Sequence, residues 1–178
     1  MTTSTECIIG RYDLVANLGQ GRVTTVYKAY DKILENYVAL KVLRSNELTE
    51  LENFKREFKL LSQLPHPNII QAYDFGYTKE GCPFFACELL QGQDILSYSQ
   101  TQKPDNIFPL LNQILETLDF LHLRGITHGD LKPSHILVQD GITGALNVKL
   151  IDLGLATLGK HQDFSQWKGT LGYIAPEI

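Results

Sequence analysis

The stretch YDLVANLGQGRVTTVYKAYDKILENYVALKVLR, residues 12–44, alternates apolar and polar side chains around a Gly-x-Gly at 19–21. A period of two is the mark of strands, and the glycine pair supplies a tight turn between the first two. The pattern predicts two strands within 12–30 and a third over 36–44 (NYVALKVLR). The spacing then becomes helical: in LENFKREFKLLSQL, residues 51–64, Phe54, Phe58, Leu61 and Leu64 share one face, and Pro65 and Pro67 stop the helix. Further strands are predicted at 69–77 (IIQAYDFGY) and 83–90 (PFFACELL), on either side of the turn-like TKEG. The first half of the chain therefore reads β-β-β-α-β-β. After QGQD the texture changes. Residues 105–124 carry Ile107, Leu110, Leu111, Ile114, Leu115, Leu118 and Leu121 at helical spacing, closed by Arg124 and Gly125, which starts a second, helical lobe at about residue 93. Short strands follow near 135–139 (HILVQ) and 147–151 (NVKLI), and 152–178 reads mostly as loop. The expected class is α+β, with no internal repeat and no low-complexity tract.

A chain of 178 residues with 43% hydrophobic and 20% charged residues has the makeup of an ordinary globular protein, with room for one good core or two small lobes. Its formal net charge of -4 gives no broad basic field, which argues against nucleic acid or an anionic membrane surface as the main partner. Cys7, Cys82 and Cys87 are odd in number and lack metal-ligand spacing, so a reducing, cytoplasmic setting is expected. The opening MTTSTECIIGRY has no basic stretch leading into a long apolar run, so no signal peptide is expected. No segment has the roughly 18 uninterrupted apolar residues of a membrane-spanning helix.

Lys41 lies inside an apolar strand, where an unpaired ammonium would be costly, so a partner is expected; Glu57 on the following helix is a candidate, although taken alone the two read as a solvent-facing lysine and a helix-surface glutamate. Around this pair a series of short motifs runs in order: Gly19 and Gly21 followed by Val26, then Val38-Ala39-Leu40-Lys41, Glu57, His128-Gly129-Asp130, Asp152-Leu153-Gly154 and Ala175-Pro176-Glu177. Each alone is weak; a glycine pair after a strand is usually only a hairpin. Together, from about residue 12 to the last residue, they resemble the eukaryotic-type serine/threonine protein kinase domain. The resemblance implies a two-lobed kinase-like fold: an antiparallel-sheet N-lobe with one main helix (12–92), an incomplete helical C-lobe (93–178), and residues 1–11 as an N-terminal extension.

The same resemblance implies ATP and Mg2+, and a protein serine or threonine as acceptor. Phosphoryl transfer demands positioning and charge neutralisation, so a phosphate cover, a lysine, a metal-holding carboxylate and a base must converge. Gly19 and Gly21 would bring backbone N–H groups to the phosphates, with Leu18 beside them; Thr24 stands where the family has a third glycine. Lys41, paired with Glu57, would hold the α- and β-phosphates. Val26, Ala39 and Leu137 would sandwich the adenine, Glu88 to Leu90 would offer backbone groups to its edge behind Cys87, and Asp94 would reach the ribose. Asp130 corresponds to the catalytic base, Lys132 to the residue neutralising the transferring phosphoryl, and Asp152 to the magnesium-binding aspartate. Leu153 replaces the usual phenylalanine conservatively, and GTLGYIAPE (169–177) resembles the substrate-docking loop, with Thr170 near Asp130 and Lys132. His128 reads as a packed structural residue.

Two departures stand out. Gly129 replaces the family's arginine, which argues against activation through a phosphorylated loop, where Thr157 and Ser165 lie with the lone Trp167. His135 replaces the asparagine that helps bind a second Mg2+, and imidazole is a weaker ligand for so hard an ion. A nucleotide-binding pseudokinase or regulatory fragment is thus the alternative. A small-molecule phosphotransferase also uses His-Gly-Asp but is disfavoured by GTLGYIAPE. Since the family's chain continues past the Ala-Pro-Glu motif, the resemblance implies a fragment or an early-terminated reading frame, marginally stable and catalytically poor alone. Glu177 would then lack its arginine partner, and further domains or a partner would cover the exposed C-lobe core.

Overall fold

The computed structural model describes residues 10–141, 144–159, 169–170 and 172–174. Cys7, Ser165, Trp167 and positions 175–177 lie outside them. The chain forms two compact units, Met1–Gln63 with Gln71–Leu89, and Leu64–Ile70 with Leu90–Ile178.

In the first unit, β1 (Tyr12–Gln20), β2 (Thr24–Asp31), β3 (Asn36–Leu43), β4 (Ala72–Tyr77) and β5 (Pro83–Glu88) form one antiparallel sheet in the order β1-β2-β3-β5-β4. Alternation along β3 decides which side chains go where. Val38, Leu40 and Val42 enter a core with Tyr12, Ala29, Phe84 and Ala86. Ala39 and Lys41 take the opposite face, in register with Cys87 and Phe85 on β5, and Val26 of β2 stands opposite Lys41. That second face is covered by α1 (Leu48–Gln63), whose Phe54 and Phe58 pack against Phe75 and Phe85 with ring centroids 4.9–6.2 Å apart. Each such ring buried contributes about 2–3 kcal/mol. The buried stripe of the helix is Phe54, Glu57, Leu60 and Leu61, so one acidic residue rides on the apolar face. At the sheet margin Arg11 grips Asp31 through two hydrogen bonds of 2.9 and 2.7 Å and reaches Asp74 at 2.8 Å, tying β1, β2 and β4 together.

In the second unit, β6 (Gly92–Asp94), β8 (Ile136–Asp140) and β9 (Leu146–Leu150) make a three-stranded sheet, while β7 (Ile126–Thr127) pairs with β10 (Thr157–Leu158). Its helices are α2 (Ile95–Ser99) and α3 (Phe108–His122). Gln113 fastens α3 to β9: its side-chain oxygen accepts from the Val148 N–H at 3.0 Å and its amide donates to the Leu146 carbonyl at 3.1 Å.

Three expectations need adjusting. Ile69 and Ile70, read as the start of a strand, belong to the second unit, where a parallel bridge joins Ile69 to Leu150; the strand proper begins at Ala72. The helix expected over 105–124 is shorter because Pro104–Asn106 form a 3-10 turn before it and Gly125, at φ +68°, takes the left-handed conformation after it. Its apolar arc is also wider than its contact: Leu110, Thr117 and Leu121 are buried, whereas Leu111 and Leu115 are exposed. No helix among the described residues is long and apolar enough to cross a membrane.

Candidate active site

In the first unit, the sheet register and the helix stripe bring two charges together. Lys41 faces α1 because Leu40 and Val42 face the other core, and its ammonium donates to Glu57 at 2.6 Å. The Glu57 side chain is 5% exposed and that of Lys41 16%, so removing either would take a counter-charge from a poorly solvated place. The Lys41 ammonium also lies 5.7 Å from the Phe85 ring centre.

The glycine turn sits at the end of β1, where the pairing slips between Asn17 and Gly19. Gly19 donates to the Asn17 side chain at 2.9 Å and Gly21 to the Thr24 carbonyl at 2.8 Å. A methyl group at Gly19 would meet nothing within 4 Å, and at Gly21 only Thr24 at 3.5 Å or beyond. Neither glycine has a positive φ, so the chain's own packing requires a glycine at neither position. On the same sheet Val26 is half-buried and Ala39 buried, and Leu18 is exposed on β1. Cys87 is buried, with its sulfur 3.6 Å from the Ala39 carbonyl, and burial pushes its thiol up to about 12. The Glu88 N–H donates to the Gln71 carbonyl at 2.9 Å.

The second unit gathers a larger cluster between β7 and β8 and just after β9. Lys132 precedes Pro133 and is extended, as a residue before proline prefers. Its ammonium donates to Asp130 Oδ2 at 2.8 Å and to the Thr170 hydroxyl at 2.7 Å, and that hydroxyl donates to Asp130 Oδ1 at 2.7 Å. Burial opposes ionisation of Asp130, but Lys132, Thr170 and His135 outweigh it and hold its carboxyl below the usual range. Asp130 is therefore a carboxylate at neutral pH.

Because β8 and β9 pair with Ile136 opposite Leu150, His135 comes alongside the residues that leave β9. Its carbonyl accepts from the Ile151 N–H at 2.9 Å, and its Nε2 lies 3.6 Å from Asp152 Oδ2. Asp152 has a φ of +70°, unusual for a residue with a side chain, and its carboxylate accepts from the Gly154 N–H at 3.0 Å. His128 is 3% exposed, its Nδ1 accepts from the Asp130 N–H, and burial pushes its pKa down to about 4. A neutral, packed ring of this kind fits a structural role.

Among the residues singled out from sequence, Asp130, Lys132, His135, Asp152 and Thr170 lie together in this unit, and Lys41 with Glu57 in the other. Leu137 is half-buried on β8, in register with Asp94, and Leu90 is half-buried just before β6. Asp94 caps α2, accepting from the Leu96 and Ser97 N–H groups at 3.0 Å each and from the Ser97 hydroxyl at 2.6 Å. Sequence reasoning missed why position 129 is glycine. Gly129 has a φ of +79°, and a Cβ there would lie 2.4 Å from the Leu155 carbonyl oxygen. The loop could not hold an arginine at this position without shifting its backbone.

The chain matches the family described as "Protein kinase domain" over residues 12–178. It is 32% identical to the serine/threonine-protein kinase cds1 of Schizosaccharomyces pombe, the match covering 94% of this chain and 38% of that protein. To the serine/threonine-protein kinase pkn3 of Myxococcus xanthus it is 34% identical, over 97% and 34% respectively, and to the serine/threonine-protein kinase PrkC of Bacillus subtilis 31%, over 96% and 27%. The chain thus spans about a quarter to two fifths of the length of the curated relatives it matches. With that match running from Tyr12 to the final residue, the chain belongs to the protein kinase family, and the relatives it resembles along nearly all of its length are named serine/threonine-protein kinases.

Proposed function

We propose that this chain carries the machinery for ATP-dependent phosphorylation of serine or threonine on a protein. The observation that supports it best is the Asp130 carboxylate held ionised by Lys132 and Thr170 at 2.7–2.8 Å. In this reading the acceptor hydroxyl gives its proton to Asp130 as its oxygen bonds the γ-phosphorus and the bond to the departing ADP oxygen breaks. Lys132 neutralises charge that builds on the transferring group. Lys41, oriented by Glu57, holds the α- and β-phosphates. Gly19 and Gly21, which local packing does not require to be glycine, let backbone N–H groups approach the phosphates; Leu18, Val26, Ala39, Glu88, Leu90, Asp94 and Leu137 accommodate the nucleoside. Asp152 suits a hard metal ion, and Mg2+ bound there would neutralise phosphate charge. His135 fits Mg2+ poorly. A cytoplasmic setting belongs to this reading, in which Cys82 and Cys87, free thiols among the described residues, stay reduced.

The imidazole beside Asp152 also favours a second reading, a kinase-like module that binds nucleotide without transferring phosphate. Radiolabel transfer from ATP to casein in the presence of Mg2+ separates the two. Transfer that falls at least about 100-fold in Asp130→Asn supports catalysis. Nucleotide binding with no transfer in either protein supports the binding module instead.

A further inference from the structure

A cleft of about 260 Å3 opens on the second unit, and its lining includes none of the residues given a role above. Strand alternation builds it. In the register of β6, β8 and β9, Gln93 stands opposite Val138 and Leu146 opposite Asp140. Val138 and Asp140 are two apart on β8, so these four side chains share one face of the sheet, whereas Leu137 and Asp94 share the other. A Cβ at Gly92 would lie 2.1 Å from the Val138 carbonyl oxygen, so glycine is what lets β6 draw this close to β8. Tyr98, half-buried on α2, supplies a further wall. Val138 and Leu146 are apolar, Tyr98 brings a ring and a hydroxyl, Gln93 an amide, and Asp140 the one charge among the described residues of the lining. Among the described residues no hydrogen bond or ion pair engages the Gln93 amide, the Tyr98 hydroxyl or the Asp140 carboxylate.

A ligand matched to this set has an apolar stem, a cation and hydrogen bonds to offer. Arginine has all three: its methylenes lie along apolar surface, and its planar guanidinium pairs with a carboxylate through two parallel hydrogen bonds and stacks on aromatic rings. Lysine lacks the planar fork and is more strongly hydrated. Clefts for drug-sized molecules measure about 300–1,000 Å3, so this one suits a single side chain with its adjoining backbone. A free amino acid would also bring a carboxylate, for which the lining holds no cation. We infer that the cleft takes an arginine side chain presented by a partner polypeptide, with Asp140 receiving the guanidinium, Tyr98 flanking it and Gln93 bonding the adjoining peptide group. The site needs neither nucleotide nor phosphate transfer, so it stands or falls apart from the reading above.

The probe is N-acetyl-arginine N-methylamide, with the neutral citrulline analogue as control, titrated into the nitrogen-15-labelled chain and followed by amide resonances. Saturable shifts are expected at Gly92, Gln93, Gln139 and Asp140, at about 1–10 mM, the range open to one side chain and its backbone. Asp140 is exposed, so Asp140→Asn strands no buried group, and it should weaken binding about threefold or more. The same spectra report whether the variant is folded, and Asp140→Ser takes its place if it is not. A citrulline analogue that binds as well, or a folded Asp140 variant of unchanged affinity, overturns recognition of the guanidinium. No shift at these residues, or shifts confined to other parts of the chain, overturns the cleft as the site. Binding of free arginine without binding of the capped form overturns the assignment to a polypeptide.

Discussion

Replacing Asp31 by asparagine tests whether the Arg11 grip stabilises the first unit. Asp31 is 1% exposed, and the Arg11 guanidinium, helped by the Ile33 and Leu34 N–H groups, holds its pKa at about 2 instead of 3.8. A difference of that size corresponds to about 2 kcal/mol favouring the folded state. The folded-state value lies below the unfolded one, so this contribution is fully present above about pH 5 and is lost as the pH falls toward about 2. Asparagine keeps an oxygen where Oδ1 accepts from Ile33, Leu34 and Arg11 Nε, but sets an NH2 against Arg11 Nη2, where Oδ2 now accepts at 2.7 Å. The variant should be about 2 kcal/mol less stable at pH 7 in urea unfolding followed by far-ultraviolet dichroism, and its stability should fall less steeply between about pH 5 and 2 than that of the parent. An unchanged acid slope, or a loss below about 0.5 kcal/mol at pH 7, would refute the reasoning.

A double-mutant cycle on the buried pair is the second test: Lys41→Met and Glu57→Gln should each cost up to about 3–5 kcal/mol by removing a counter-charge from a poorly solvated place, whereas the double variant should cost clearly less than their sum. Additive losses in chemical denaturation would mean that the pair is not energetically coupled. Gly129→Arg restores the residue usual in the family, yet it should lower stability by at least about 1–2 kcal/mol, since a side chain meets both a left-handed backbone and the Leu155 carbonyl. A melting temperature equal to or above that of the parent would show that the loop accommodates arginine.

Much of the first unit was legible because its signals are local. Alternation in β2 and β3 announces strands, and a lysine inside the apolar run of β3 calls for a partner, which the order of the family's motifs placed at Glu57. The residues of the cluster could be named from motif order, but not its geometry. That His135 comes beside Asp152 follows from β8–β9 register, which neither short strand declares alone. The strands β6, β7 and β10 are two or three residues long and exist only through their pairing, and α2 is a single capped turn or so, below the length at which periodicity can be read. Ile69 and Ile70 misled for the opposite reason: an apolar pair reports burial without saying in which unit.

The ring of hydrogen bonds among Asp130, Lys132 and Thr170 also bears on how an acceptor could arrive. Each carboxylate oxygen already has one donor, so an incoming hydroxyl finds only the remaining lone-pair directions open. The Thr170 hydroxyl is a resident competitor of the same chemical type as the acceptor proposed above. Alcohols that approach along other lines would be turned away by angle rather than by size.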